Sequence, residues 1–213
     1  NSGTTTIGNA LGDATTFTGG VVAAAGPKNI AGAINTTNTA MNLGTTAVAV
    51  TDNATLNAGS NTITLGAATL ADGKSLTLGT GSATTINTGS ITGDAATGAA
   101  ENLTINTAGV ATIGGAVGAV PLGTITITQS GGTSFSSTVD AATVAITDTA
   151  DAAAVAFTGN LTLTTGMTVA NAGGANAYDV SITGTTNSIA GATTFLNSGT
   201  TTIGNALGDA TTF

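Results

Sequence analysis

Residues 1–17 read NSGTTTIGNALGDATTF, and residues 197–213 repeat these seventeen letters without a change. Chance does not produce an identity of this length, even in a chain so rich in Gly, Thr and Ala. The two copies are offset by 196 residues. We therefore interpret residues 1–196 as one tandem repeat unit, a continuous solenoid, and residues 197–213 as the start of the next identical unit.

Between the two copies, apolar residues alternate with small polar ones over short stretches. A period of two places the apolar side chains on one face of a β-strand and Thr, Ser or Asp on the other. The β-branched residues Thr, Val and Ile favour this geometry. The clearest predicted strands are residues 63–65, 76–78, 125–128, 161–164 and 178–182.

Two further features of the chain bear on the strand pattern. Residues 151–156 are Ala-rich and helical by propensity, but Val155 and Phe157 continue the alternation, so we predict a strand. Pro27 and Pro121 lie between strand-like runs and are expected in loops, because proline cannot donate a ladder hydrogen bond.

The few aromatic residues are spaced at nearly regular intervals. Phe135, Phe157, Tyr178, Phe195 and Phe213 follow one another at intervals of roughly 20 residues. Such a spacing is typical of one coil of a parallel β-helix, whose strands lie about 4.8 Å above those of the coil before. We predict an all-β fold, a parallel β-helix (β-solenoid) with about ten coils of roughly 20 residues per 196-residue tandem repeat. The aromatic rings should then stack in its interior.

A second series supports the same coil length. Phe17, Ile34, Leu56 and Leu78 also follow at intervals of roughly 20 residues, and the last two intervals are equal. If identical units continue one another, one unit should equal a whole number of coils. The alternative is an array of Ig-like sandwiches, two per unit, although such domains bury larger aromatic residues than this chain supplies.

The composition excludes several classes of site. The chain has no Cys, His or Trp, its only cations are Lys28 and Lys74, and its formal net charge is −8. Metal centres and nucleophile–base pairs usually need His or Cys, and nucleic-acid surfaces need clustered cations. Residues 110–120, the longest apolar stretch, are too few to span a membrane. We predict no enzyme activity, no catalytic, cofactor-binding or metal-binding residue, no nucleic-acid partner and no membrane insertion.

Four weaker motifs are each explained by an ordinary structural role. Asp72-Gly73-Lys74-Ser75 ends like a phosphate-binding loop, but the required first glycine is Ala68, so we expect an ordinary turn. Paired threonines suggest an ice-binding ladder, but by sequence they do not recur on every coil, so solvent-facing Thr is expected. The Asn-x-Thr sequons do not by themselves establish glycosylation; they begin at Asn35, Asn53, Asn102 and Asn160. The aspartates are scattered and do not predict a calcium site; they are Asp13, Asp52, Asp94, Asp148 and Asp151.

The Thr/Gly/Ala/Asn composition carries short motifs of a known kind. These are T-I-G-x-A-x-G at residues 6–12 and the related FTGGV and FTGNL at residues 17–21 and 157–161. In these features the chain resembles the giant repetitive surface proteins of bacteria, filamentous-haemagglutinin-like adhesins and other β-strand-repeat exoproteins. The resemblance implies an extracellular β-solenoid shaft held at the cell surface.

The expected function is therefore structural. The repeat should belong to a self-stacking rigid filament or stalk, extracellular or at the surface of a bacterial cell, and its partners should be copies of itself. The alternative is an adhesin whose shaft also mediates attachment to a surface or to another cell.

Overall fold

The computed structural model describes residues 2–95, 98–171 and 177–213, and over these ranges the chain forms 23 strands and no helix. Asn1, the first letter of the repeated segment, lies outside the described residues. Every described strand pair is parallel. The chain winds around one axis as a parallel β-helix of about 9 turns. The predicted fold class is confirmed, and the Ig-like alternative is wrong because its sandwiches need antiparallel strands.

The strands are short because Gly, Asn and Asp interrupt the apolar alternation every few residues. In chain order they are β1 Thr5–Ile7, β2 Ala14–Phe17, β3 Val21–Val22, β4 Lys28–Thr36, β5 Met41–Asn42, β6 Val48–Asn57, β7 Thr62–Leu65, β8 Ala68–Leu70, β9 Ser75–Leu78, β10 Thr85–Thr88, β11 Ile91–Gly93, β12 Asn102–Asn106, β13 Ala111–Ile113, β14 Val117–Gln129, β15 Thr133–Phe135, β16 Val139–Ile146, β17 Ala154–Phe157, β18 Leu161–Val169, β19 Asp179–Ile182, β20 Thr186–Ile189, β21 Thr193–Phe195, β22 Thr201–Ile203 and β23 Ala210–Thr212.

Each coil lays its strands on three faces in turn. Faces 1 and 2 belong to one 14-stranded sheet, because β4, β6, β14, β16 and β18 each bend around the corner between them, and face 3 is a separate 9-stranded sheet. Face 1 holds β1, β8, β11, β20, β23 and the first halves of the five bent strands. Face 2 holds β2, β9, β12, β21 and their second halves. Face 3 holds β3, β5, β7, β10, β13, β15, β17, β19 and β22.

The coils vary in length. On face 1, Lys28 pairs with Val48 after a short coil, whereas Ile91 pairs with Val117 after a longer one. The corner loops differ in length, and several are long enough to make the average coil longer than predicted. About nine turns therefore replace the predicted ten coils.

The interior consists of columns of directly paired apolar residues. On face 2, Ile34 pairs with Leu56, which pairs with Leu78, and all three are fully buried. The predicted second series is thus confirmed for these positions. Phe17 is not part of it, because Phe17 pairs with Thr36 and its neighbour Thr15 pairs with Ile34. From Leu78 the column continues through Ile105, Ile127, Ile146, Val169 and Phe195.

The single aromatic column is confirmed for one pair and wrong for the rest. On face 3, the Phe135 and Phe157 rings stack with centroids 4.9 Å apart and planes within 2°. The residue above Phe157 is Ile182, not Tyr178. Tyr178 lies buried just before β19, where its hydroxyl donates to the Ala170 carbonyl, and burial raises its pKa to about 12. Phe195 lies on face 2.

The five clearest strand predictions hold, except that Tyr178 lies just before β19, and two local predictions need correction. Residues 151–153 form a turn, with Ala152 at φ 58°, and only Ala154–Phe157 is strand. Pro121 lies inside β14 rather than in a loop. The pairing of β14 with β16 is irregular between Val117 and Leu122. At this break the missing N–H of proline costs no ladder hydrogen bond.

The two copies of the repeated segment lie on different faces. Thr5–Ile7 pairs on face 1 with β4, whereas the identical Thr201–Ile203 pairs on face 3 with β19. The expectation that one repeat unit spans a whole number of coils is therefore wrong, because the unequal coil lengths add up to eight coils and two further faces.

Candidate functional site: the two ends of the solenoid

The residues that resembled a phosphate-binding loop form a turn on the outside of the solenoid. Gly73 has φ 67°, as a tight turn requires, and Ser75 begins β9. Lys74 Nζ lies 3.0 Å from Asp52 Oδ1, and its hydrogen bond holds the pKa of Asp52 below the ordinary value. Asp52 Oδ2 also accepts the N–H of Leu11 at 3.1 Å. These groups therefore link the first coils of the solenoid.

The side chains of the four sequons bond to the next coil. Asn53 Oδ1 accepts the Ser75 N–H and Asn102 Oδ1 accepts the Thr124 N–H, each at 2.8 Å. Asn160 Oδ1 accepts the Thr186 N–H at 3.1 Å. Asn35 Oδ1 accepts from Asn57 Nδ2 at 3.3 Å. The amides therefore have a structural use, since they satisfy donors between neighbouring coils.

The aspartates likewise act separately. Asp13 Oδ2 accepts the N–H groups of Asn9 and Ala10, Asp94 Oδ2 accepts the Asp72 N–H at 3.0 Å, and Asp151 Oδ1 accepts the Ala177 N–H at 3.2 Å. Over the described ranges, no three potential metal ligands of the His, Cys, Asp or Glu type come together.

A single column of threonine recurs on face 2, although the paired T-x-T ladder does not recur on every coil, as expected from sequence. Thr55, Thr77, Thr104 and Thr126 pair in succession on the outward side, and Thr168 and Thr194 follow after Ala145. The sequence hides this column because coils of unequal length separate its members. A T-x-T ladder needs two adjacent outward columns of threonine. The neighbouring outward column is mixed instead, with Asn102 beside Ser75 and Thr124 beside Thr143.

Lys28 is an unexpected core residue. Its side chain is 0% exposed, and Nζ donates to Thr46 Oγ1, which itself donates to the Gly26 carbonyl at 2.6 Å. Lys74 pairs with Asp52, whereas among the described residues no carboxylate pairs with the Lys28 ammonium. Burial lowers the pKa of Lys28 below its ordinary value of 10.5.

We expect Lys28→Met to stabilise the chain by about 1 kcal/mol at pH 7, because it removes an unpaired buried charge while preserving the apolar stem. In the natural chain the unfolded state binds the Lys28 proton more readily. Its free energy of unfolding should therefore rise with pH between the lowered pKa and 10.5 and then level off. Urea unfolding across this range should show that Lys28→Met has lost the rise.

The matched control is Lys74→Met, which removes an exposed ion pair and should give no gain in stability. If Lys28→Met proves less stable than the natural chain at pH 7, the hydrogen bond to Thr46 outweighs the cost of burying the charge.

Exposed apolar side chains concentrate in the terminal coils. Over the described residues, seven large hydrophobic side chains are exposed, and only Val110 lies in the middle of the chain; the others are Leu11, Val22, Leu196, Ile203, Leu207 and Phe213. Both ends also present the unpaired edges of parallel sheets, which are templates for another strand.

Each end carries an open groove with an apolar lining. The N-terminal groove has a volume of about 580 Å³ and is lined by Ile7, Phe17, Val21 and Val22 among others. The C-terminal groove has a volume of about 310 Å³ and is lined by Thr193, Phe195, Ile203 and Phe213. Phe195 and Phe213 meet there edge to face with centroids 6.5 Å apart. Both grooves lie in the first and last described coils, where one further coil of a stack would pack.

Comparisons with protein-family models, with curated proteins and with solved structures find no match to this chain. Within the described ranges there is no helix of the length and apolar character needed to cross a bilayer.

Proposed function

We propose that this chain is a structural segment of an extracellular filament or stalk, a rigid shaft formed by end-to-end stacking of identical units at a bacterial cell surface or in its matrix. One observation carries the proposal. Residues 201–203, which repeat residues 5–7, pair in parallel register with residues 180–182 of the preceding coil. The start of a second unit is thus bonded to the first in the same way as one coil is bonded to the next.

The energetics of stacking support this role. A coil buries little apolar surface by itself, but its strands bond to both neighbours, so stability increases nearly linearly with the number of coils. Small interior residues such as Ala and Val lose little side-chain entropy on folding. An acidic surface keeps a long polymer soluble. The exposed apolar residues at the two ends are those that a further coil would cover.

The surface supports a non-enzymatic role. Asp52 and the sequon side chains bond to neighbouring strands rather than converge on a cavity. Outside the terminal coils, the part of the surface that the structure describes exposes no aromatic side chain that could anchor a ligand. A shaft role is therefore favoured over the alternative of an adhesin, which would use the same scaffold to hold a ligand.

Chains of one, two and four units test the filament. Because each added unit buries one more pair of ends, Tm should rise with unit number and approach a limit. Electron microscopy should show rods, and their diffraction should have a strong axial spacing of about 4.8 Å. A Tm that does not depend on unit number would contradict the proposal, and so would images of separate globular domains in place of continuous rods.

A further inference from the structure

The two copies of the repeated segment share a strand, a turn and a second strand, although Gly208 has φ 99° and its counterpart Gly12 is not among the positive-φ glycines. In the first copy Asp13 Oδ2 accepts the Asn9 N–H at 2.8 Å, and in the second Asp209 Oδ2 accepts the Asn205 N–H at 2.8 Å. Gly8 and its counterpart Gly204 have φ of 69° and 70°. Strand, turn and strand are thus set by local sequence, whichever face the segment occupies.

The second copy is firmly seated on the coil below it. Ile203 pairs with Ile182, which extends the face 3 column above Phe157. The Gly204 N–H donates to the Ile182 carbonyl at 2.8 Å, and the Thr200 N–H donates to Asp179 Oδ1 at 2.6 Å. Both the backbone and a side chain of the first unit therefore hold β22 on face 3.

The next strand of the second copy is held just as specifically. Residues 210–212 pair with residues 186–188 on face 1. Asn187 is buried, its Oδ1 accepts the Leu161 N–H at 3.0 Å, and its Nδ2 donates to Thr211 Oγ1 at 3.1 Å. In the first copy the counterpart of Thr211 is Thr15, which lies on face 2. Asn187 thus joins three coils only when the second copy is displaced by one face.

We propose that each unit docks on the end of the previous one turned by one face, so that the surface pattern of the filament repeats after three units and not after one. This inference rests on the proposed function and specifies its geometry. The segment passes from faces 1 and 2 in the first copy to faces 3 and 1 in the second. The unit that follows the junction is therefore rotated by a third of a circuit relative to the unit before it.

The rotation has a measurable consequence. Eight coils and two faces advance a unit by about 42 Å along the axis, and three units by about 125 Å. A given outward side chain then returns to the same side of the shaft only after three units. Anything that binds a single face would find its site once in three units.

Double-cysteine variants test the rotation in the 213-residue chain, which has no cysteine of its own. Ser181 pairs with Thr202 on face 3, so Ser181→Cys with Thr202→Cys should form a disulfide on oxidation. Ser188 lies on face 1, where it pairs with Thr212 and not with Thr202, so Ser188→Cys with Thr202→Cys measures the yield for unpaired positions. We expect at least about tenfold more of the first disulfide than of the second.

A matched pair calibrates the result. Ser134 and Ala156 are directly paired on face 3 in the middle of the solenoid, so their double-cysteine variant defines the yield for paired positions. The proposal requires Ser181→Cys with Thr202→Cys to reach that yield. A lower yield, or a preferred bond from position 202 to position 188, overturns it. If this bond forms but chains of several units do not assemble into rods, the junction geometry is right and the filament proposal fails separately.

A second measurement uses a chain of four units with Ser134→Cys in each unit, labelled with gold clusters. Electron microscopy should show labels on one side of the rod at a spacing of about 125 Å. Labels on the same side at every unit, at a spacing of about 42 Å, would overturn the rotation.

Discussion

Phe157→Asp should destabilise the chain by at least about 4 kcal/mol at pH 7, the largest effect of any single substitution we consider. Phe157 is 0% exposed, and its ring stacks on that of Phe135 at 4.9 Å. The substitution removes this packing and places a carboxylate among apolar columns with no cation near it, because Lys28 and Lys74 belong to other coils. Urea unfolding followed by circular dichroism measures the loss.

Two control variants separate the causes. Phe213→Asp makes the same change on a ring that is 55% exposed and should cost less than about 1 kcal/mol. Phe157→Asn matches the size of Asp without its charge, so the difference between the two variants reports the buried charge. That difference should shrink at low pH, because burial raises the pKa of the introduced carboxyl and favours its neutral form. If Phe157→Asp and Phe213→Asp cost the same, Phe157 is not an interior residue.

Sequence periodicity predicted the fold class because a parallel β-helix shows its inward side chains directly in the sequence. Ile34, Leu56 and Leu78 are equally spaced along the chain and pair directly, because the coils between them have equal length on this face. The period of two likewise located the strands, since apolar residues face the interior and Thr or Ser faces water.

The same reasoning failed where coil lengths change. The coil from Phe157 to its partner Ile182 is longer than the coil from Phe135 to Phe157, and Tyr178 precedes the paired position because it lies in the corner before β19. In this chain Gly, Thr, Asn and Ala build both loops and strands, so loop lengths leave little trace in composition. The expectation that one unit spans a whole number of coils failed for the same reason. Each longer loop shifts the position of all later strands around the axis, and these shifts add up over the unit.

The candidate site was also only partly predictable. The repeated segment pointed to end-to-end contact, but the seating of β22 depends on which face it reaches. Asn187 illustrates the difficulty: asparagine is a residue type common in turns, yet Asn187 is buried and bonds to the coils on both sides. Only the pairing register reveals that role.

Gly118→Ala should cost about 3 kcal/mol, the second largest effect we expect. Gly118 is the second residue of β14 and has φ 77°, a conformation that L-residues with side chains rarely adopt. A Cβ at this position would lie 1.9 Å from the Asp140 carbonyl oxygen of the next coil. Because that atom is backbone, relief requires a shift of β16, which weakens the ladders on both sides of it. Thermal and urea unfolding of the variant should show the loss.

Gly19→Ala is the matched control for this prediction, because the new Cβ would meet no heavy atom within 4 Å. Gly19 is also not among the glycines with positive φ. Restricting the unfolded chain should make this variant neutral or more stable by about 0.4–1 kcal/mol. The contrast tests close packing between successive coils independently of the aromatic stack. Equal stability of Gly118→Ala and Gly19→Ala would mean that β14 and β16 do not approach each other as closely as direct stacking requires.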